Sequence, residues 1–198
     1  GDTLVTTLDY DVQETAYKAL EDRDGAVVVM EVKTGKILAL VSKPDFDPNT
    51  LAERWDDIVS DENSSVLLNR VTSGLYPPGS TFKIFTTLEY VHENSNYQDY
   101  SFDCEGELNV DGNEIHCYHK AVHGKETLKD SFANSCNTSF SNIGLSLDIS
   151  GFRNLCEDML FNKKLPGSLA GSKSSFTLTA DADKGKLVTA ENVAKAIN

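Results

Sequence analysis

The sequence predicts an α+β fold, and three observations carry that expectation. Two β-rich runs, Ala26-Val27-Val28-Val29-Met30-Glu31-Val32 and Ile37-Leu38-Ala39-Leu40-Val41, flank a turn containing Gly35, the pattern of an antiparallel hairpin. A second hairpin is signalled by Asp111-Gly112, a dipeptide suited to the left-handed angles of a tight turn. Elsewhere apolar residues recur three or four apart, the spacing of a helix face, as in Leu128 with Phe132. At 198 residues the chain is one ordinary domain, long enough for a real core. Its 39 % hydrophobic and 25 % charged residues fit a globular protein. No run approaches the roughly twenty apolar residues of a membrane span, and no signal peptide is visible.

In chain order, an early helix at 12–20 is expected to pack on the hairpin of 25–41. Residues 42–75 read as a loop region with one short helical patch and the only tryptophan, Trp55. A helix begun by Ser80 follows, then a hairpin bounded by Cys104 and Cys117. Helices then flank a loop at 135–137: a segment at 128–134, and one from near Thr138 with Phe140, Ile143, Gly144 and Leu147 on its packed side. A further helical segment covers 149–160. After Phe161 the chain turns Lys-, Gly- and Ser-rich, and no internal repeat is visible.

The chemistry concentrates at Ser80-Thr81-Phe82-Lys83, which follows Tyr76-Pro77-Pro78-Gly79 and precedes the apolar run Ile84-Phe85-Thr86-Thr87-Leu88. Pro78 cannot donate a helical hydrogen bond and Gly79 tolerates unusual angles, so a helix is expected to start at or just after Ser80. Ser80 then stands at a helix N-terminus, where unpaired amides favour a developing oxyanion. Lys83, three residues on, lies on the same face and its amine reaches the hydroxyl. A serine becomes a good nucleophile when a neighbour takes its proton, and a lysine does so only when neutral. Phe82, Ile84, Phe85, Leu88 and Val91 surround the helix on more than one side and predict a buried core helix, which lowers a lysine pKa. No other Ser-x-x-Lys occurs in the chain.

Ser135-Cys136-Asn137 is the only Ser-x-Asn, on a short loop between two expected helices. A hydroxyl and an amide two residues apart can face one cleft, the serine relaying a proton and the amide holding a substrate carbonyl. Alone this pattern more often marks a turn with a capping Asn. Behind a Ser-x-x-Lys, in this order and roughly fifty residues downstream, the catalytic reading prevails.

Together these residues resemble the penicillin-binding proteins, specifically the transpeptidase domain of monofunctional class B members. Val5-Thr6-Thr7-Leu8-Asp9 with Gln13 is similar to the opening strand and helix of that domain. The 25–41 stretch resembles its first hairpin, Pro44-Asp45-Phe46-Asp47-Pro48-Asn49 the segment after it, and His123-Gly124 the dipeptide before the Ser-x-Asn helix. The resemblance implies the penicillin-binding/serine β-lactamase-like transpeptidase fold, an antiparallel sheet with helices. It implies a D,D-transpeptidase of peptidoglycan stem peptides, in which Ser80 attacks the D-alanyl-D-alanine carbonyl and Lys83 accepts its proton. Ser135 would pass a proton to the departing amine and Asn137 would hold the donor peptide. β-Lactams would acylate Ser80, and the implied setting is the extracytoplasmic face of a bacterial membrane, among other cell-wall synthesis proteins. A serine β-lactamase or D,D-carboxypeptidase, and a non-catalytic β-lactam sensor, share the same motifs.

The family also has a third motif, Lys-Thr-Gly or Lys-Ser-Gly, on a strand lining the cleft. Lys33-Thr34-Gly35 matches in letters but lies upstream of the serine, at the junction of two β-rich runs, and reads as a turn. Downstream, Lys184-Gly185-Lys186 lacks the hydroxyl residue, and Leu187-Val188-Thr189-Ala190 resembles the approach to the helix that precedes the motif, with Ala190 in place of proline. The join around residues 180–185 is shorter than the family pattern. The expectation is a partial domain over 1–198, without the upstream anchor or the Lys-Thr-Gly segment. Such a polypeptide would acylate slowly, since one oxyanion donor is worth about two powers of ten or more in rate.

A net charge of −13 argues against nucleic acid and against anionic lipid, and no cofactor is expected. Cys104, Cys117, Cys136 and Cys156 are too few for a disulfide-built scaffold. Cys104 and Cys117 bracket a hairpin and could form a disulfide, whereas Cys136 and Cys156 read as buried thiols. Zinc is the alternative, because His116, Cys117, His119 and His123 crowd together with Cys104 nearby. Adjacent strand residues His116 and Cys117 face opposite sides, however, and the spacings match no standard finger, so no metal is expected.

Overall fold

Asp9 adopts extended angles and its carboxylate accepts a hydrogen bond from the Val12 amide, capping α1 (Tyr10–Ala19), which therefore starts two residues earlier than expected. The computed structural model describes residues 2–167 and 169–178. These fall into two compact units, one from residues 2–75 with 166–167 and 169–172 and the other from 76–165 with 173–178.

In the first unit, β1 (Gly25–Met30) and β2 (Ile37–Lys43) form the expected antiparallel hairpin, with Val27 opposite Val41 and Val29 opposite Ala39. Ala16 of α1 packs on Ala39 and Val41, with Val12, Leu20, Val27 and Val29 around them. Gln13 locks helix to strand like a ladder rung, its amide donating to Leu40 O and its carbonyl accepting from Leu40 N, at 3.0 and 2.8 Å. Lys33, Thr34 and Gly35 sit exposed in the connecting turn, where Gly35 has φ +71° and donates its N–H to Glu31 O. The strand-like residues 4–8 form no strand. They have no ladder partner, and only Thr7 Oγ1 and Asp9 N reach the start of β2, while Leu4 and Val5 are exposed. The loop region at 42–75 carries one short helix, as expected, and it is α2 (Trp55–Ser60).

In the second unit, Gly79 takes φ +56° and opens a 3₁₀ turn, Gly79–Phe82, that feeds α3 (Lys83–Glu93). The α-helix thus begins at Lys83 and not at Ser80. Thr81 clamps the tighter first turn by donating both its amide and its hydroxyl to Pro78 O, a common arrangement at helix starts. Burial on α3 also departs from the expectation of an apolar-clad helix. Phe82, Lys83, Thr86 and Glu89 are buried, whereas Ile84 and Leu88 remain 48 % and 43 % exposed. The buried stripe recurs at three- and four-residue steps and meets α5 (Asn137–Ser146) and α6 (Ile149–Asp158); Ile84 and Leu88, one turn apart, lie on the other side.

Phe82 anchors the core next to Ser80. Its ring contacts Phe85, Phe152, Phe161 and Phe176 at centroid separations of 5.4, 5.9, 5.7 and 5.3 Å. Phe140, Ile143, Leu147 and Ile149 continue that core, and burying one such side chain is worth about 1.5–3 kcal/mol.

Among the described residues the strands form three separate two-stranded antiparallel ladders and not one sheet. β3 (Ser101–Cys104) pairs with β6 (Gly124–Thr127), and β4 (Glu107–Val110) with β5 (Asn113–His116). Asp111 and Gly112 both have positive φ, 50° and 86°, the turn expected between β4 and β5. Cys104 belongs to β3, opposite Gly124, so the bracketing hairpin of the sequence reading is split between two ladders. The Cys104 and Cys117 sulfurs are 3.7 Å apart and unbonded, so the disulfide is absent. Cys136 and Cys156 are fully buried thiols, as expected.

Thr127 and Asp130 form a reciprocal capping box that starts α4 (Leu128–Ala133), the position where the 3.6-residue pattern begins. α5 (Asn137–Ser146) begins one residue before the expected Thr138. α6 (Ile149–Asp158) is capped by Asp148 through the Gly151 amide at 2.6 Å and stops two residues early. Among the described residues no helix is long and apolar enough to cross a membrane. Lys184-Gly185-Lys186, the stretch from Leu187 to Ala190 and the join around 180–185 lie outside the described residues.

Candidate active site

The loop between α4 and α5 is three residues long, Asn134 to Cys136, and Ser135 makes the reversal by adopting φ +51°, a left-handed conformation that costs a non-glycine residue about 1 kcal/mol. The loop is held from its own ends: Ser135 N donates to Phe132 O, and Cys136 N to Ser131 O at 2.9 Å. Behind it runs a polar chain. Tyr100 Oη meets Ser139 Oγ at 2.9 Å, Ser139 Oγ meets Ser131 Oγ at 2.6 Å, and Ser131 Oγ donates to Glu126 Oε2. The Asn134 amide completes it at Glu126 Oε1, 2.7 Å away. Glu126, Ser131 and Ser139 are all buried, so the loop is backed by a polar chain whose members satisfy one another.

Lys83 reaches this loop from α3. Its Nζ lies 2.7 Å from Ser135 O, 2.9 Å from Ser135 Oγ, 2.6 Å from Asn137 Oδ1 and 3.4 Å from Ser80 Oγ. The Asn137 amide donates in turn to His116 O at 3.0 Å, which orients its carbonyl toward the lysine. All four residues expected at the site are therefore brought together. Lys83 is buried and Asn137 half-buried, while Ser80 and Ser135 are exposed and accessible to a substrate.

Burial is the largest influence on Lys83 and pushes its pKa below 10.5, against the charge pull of Cys136 and Cys117. The acceptor set then dictates how a neutral amine is oriented. The Ser135 and Asn137 carbonyl oxygens can only accept, so they take the two N–H bonds of the amine. The lone pair is left facing two hydroxyls, Ser80 and Ser135, both of which can donate. One neutral amine could accept a proton from either hydroxyl, with the 3.4 Å Ser80 contact open to tightening on substrate binding.

Sequence reasoning missed one support of this site and held a second only in part, grouping Cys104, Cys117 and His123 with His116 and His119 but without Cys136. The Tyr100–Ser139–Ser131–Glu126 chain leaves no sequence signal beyond the capping box beside it. The second is a cluster beneath the loop: Cys104, Cys117, Cys136 and His123 place their ligating atoms within 4.8 Å of one another. Cys136 was legible as the middle residue of the motif, but its approach to Cys117 depends on how the loop folds onto the β4–β5 hairpin. His116 and His119 are not part of this cluster.

Residues 25–198 match the family described as the penicillin binding protein transpeptidase domain. The chain is 36 % identical over 163 residues to the peptidoglycan D,D-transpeptidase PbpA of Mycolicibacterium smegmatis, covering 74 % of this chain and 33 % of that protein. It spans a third or less of that relative and of MrdA from Acinetobacter baumannii, of which 22 % is covered. Among solved structures, the D,D-transpeptidase domain of a peptidoglycan glycosyltransferase from Eggerthella lenta superposes with a TM-score of 0.80 at 29 % identity, over 93 % of this chain and 46 % of that one. Penicillin-binding protein A of M. tuberculosis, as its penicillin G acyl-enzyme complex, superposes with a TM-score of 0.81 at 27 % identity, over 97 % of this chain and 46 % of that one. With its Ser-x-x-Lys and Ser-x-Asn residues joined at one lysine and the family match running over most of its length, the chain belongs to the penicillin-binding protein transpeptidase family.

Proposed function

We propose that this chain carries the acyl-transfer centre of a peptidoglycan D,D-transpeptidase. The observation that carries the reading is the position of Lys83, buried among two carbonyl oxygens with its remaining side toward Ser80 and Ser135. Ser80 Oγ attacks the carbonyl carbon of the penultimate D-alanine as its proton passes to Lys83 Nζ. The tetrahedral oxyanion forms beside the first turn of the 3₁₀ segment, where helix amides lack intrahelical acceptors. Collapse breaks the C–N bond. The proton held on Lys83 returns through the Ser135 hydroxyl to the departing D-alanine amine, leaving an ester on Ser80. An acceptor amine from a second stem peptide then attacks the ester and loses its proton back along the same path.

Asn137 serves twice in this scheme, as a fixed acceptor that orients Lys83 and as the amide edge along which the donor peptide lies. A β-lactam presents the same carbonyl in a strained ring and forms the same ester without releasing a leaving amine. The substrate puts the reaction at the outer face of a bacterial cell membrane. A structural relative, penicillin-binding protein PBP2 from Helicobacter pylori, has been solved in complex with MreC, which supports partners among cell-wall proteins.

The test is covalent labelling of the intact protein by a fluorescent penicillin. Wild type is expected to label and retain the label for many minutes, and Ser80→Ala to lose labelling entirely. Labelling that survives Ser80→Ala contradicts the mechanism, and rapid loss of the bound penicillin would replace the transpeptidase reading by a hydrolytic one.

A further inference from the structure

β6 has one fully buried position, and a glutamate fills it. Glu126 is 2 % exposed, while Lys125 and Thr127 on either side face solvent. The alternation of the strand turns Glu126 to the inner side of the β3–β6 ladder, where an apolar side chain is the usual occupant. Among the described residues Glu126 forms no ion pair with a lysine, arginine or histidine. A carboxylate taken out of water without a cation is costly and persists only where donors surround it. The donors given to Glu126 belong to the segment that leads into Ser135.

Glu126 Oε1 accepts from Asn134 Nδ2 at 2.7 Å, and Oε2 accepts from Ser131 Oγ at 3.3 Å. Asn134 immediately precedes Ser135, where the chain turns left-handed at φ +51°. Ser131 supplies the carbonyl that accepts from Cys136 N at 2.9 Å. One carboxylate therefore anchors the residue that enters the turn and the residue that closes it. The hold extends past the motif as well. A carboxylate can only accept, so the Ser131 hydroxyl proton is committed to Glu126 and Ser131 Oγ must accept from Ser139 Oγ at 2.6 Å. Ser139 Oγ is left to accept from Tyr100 Oη at 2.9 Å. Ser139 lies in the first turn of α5, two residues beyond Asn137, so the direction of each hydroxyl on both sides of the motif is set from Glu126.

We propose that Glu126 is a positioning residue for acyl transfer, a buried carboxylate that fixes the Ser-x-Asn loop from both sides and thereby sets the aim of the Lys83 amine. This rests on the transpeptidase reading of the same site. Both carbonyl acceptors of that amine, Ser135 O at 2.7 Å and Asn137 Oδ1 at 2.6 Å, ride on the segment that Glu126 anchors. A displaced loop turns the lone pair away from Ser80 while every group that meets the substrate is still present. Misplacement by about 1 Å can slow a reaction by about a hundredfold. Glu126 acts through Asn134 and Ser131, and its effect belongs to the rate of the chemical step more than to binding.

The test is acylation of the intact protein by benzylpenicillin, with the rate at saturation and the half-saturating concentration measured separately. Glu126→Leu is expected to lower the saturating rate by about tenfold or more and to change the half-saturating concentration by less than about threefold. Glu126→Gln keeps an acceptor for Asn134 and offers Ser131 a donor. The hydroxyl chain then reverses with its members still bonded, Tyr100 donating to Ser139 O at 3.2 Å, and the rate is expected within about threefold of wild type. In case Glu126→Leu fails to fold, Asn134→Ala removes one of the two holds from an exposed position and is expected to slow acylation by about three- to tenfold. Hydrogen exchange at the Cys136 amide is expected to speed up by about tenfold in Glu126→Leu or Asn134→Ala, and to stay near wild type in Glu126→Gln. Folded Glu126→Leu or Asn134→Ala that acylates as fast as wild type overturns the proposal, as does Glu126→Gln no faster than Glu126→Leu, or a Cys136 amide equally protected in all of them. Exchange is read without any acyl transfer, so this proposal and the transpeptidase reading fail separately.

Discussion

Lys33 and Lys83 each stand close to a hydroxyl residue in a stretch that matches a family motif, and they have nothing else in common. Lys33 is exposed in the β1–β2 turn, where the adjacent Thr34 hydroxyl bonds to Glu31 and Gly35 supplies the left-handed angle. Lys83 is buried, with four oxygens around its amine and two of those fixed as acceptors. A lysine becomes a base when its ammonium form is desolvated and its lone pair is aimed. Lys83 is buried with two hydroxyls facing its amine, which supports its proposed role, whereas Lys33 is exposed in a turn.

That contrast is broken most directly at Lys83 itself. Lys83→Arg keeps a cation but removes the titrating amine, and acylation by benzylpenicillin is expected to fall by about two to four powers of ten. The rate constant for acylation, read by stopped-flow fluorescence or gel labelling, checks it. Asn137→Ala comes next, because it removes one of the two fixed acceptors. A loss of about a hundredfold is expected in the same assay, and it should exceed the loss in Ser135→Thr, which keeps the hydroxyl and the carbonyl. Lys33→Ala is expected to change the acylation rate by less than about twofold. A large loss there would mean that the turn is part of the chemistry. The smallest effect is on stability: Gly35→Ala meets no atom within 4 Å, so only the positive φ opposes it. Denaturant unfolding should show a cost of about 1 kcal/mol with acylation unchanged.

The same contrast shows what could be read from the residues. The two turns were legible because glycine and aspartate carry their backbone angles with them, and the hairpin of β1 and β2 followed from the apolar, β-rich runs on either side of Gly35. Ser80, Lys83, Ser135 and Asn137 were legible as spaced pairs, each local in sequence. Burial on α3 was not legible, because Ile84 and Leu88 carry the same letters as core residues and only the placement of α5 and α6 decides which face is covered. The pairing of β3 with β6 was hidden for a related reason. Ladder partners are chosen by long-range closure, and Cys104 is as close in sequence to β4 as to any strand. The cysteine and histidine cluster needed both of these at once, a strand pairing and a loop reversal at Ser135.

The most direct measurement is the pH dependence of benzylpenicillin acylation, from about pH 6 to about pH 10, in wild type and in Lys83→Arg. Burial lowers the Lys83 pKa from 10.5, so the neutral fraction grows with pH through this window. The same lowering makes the folded state release the proton before the unfolded chain does, so this group adds stability as pH rises toward 10.5 and loses it as pH falls through the folded pKa. The wild-type rate is predicted to climb with pH along a single ionisation and to level off below 10.5, and the climb is predicted to vanish in Lys83→Arg. A wild-type profile that is flat across the window, or a climb that persists unchanged in Lys83→Arg, would contradict Lys83 as the base that activates Ser80.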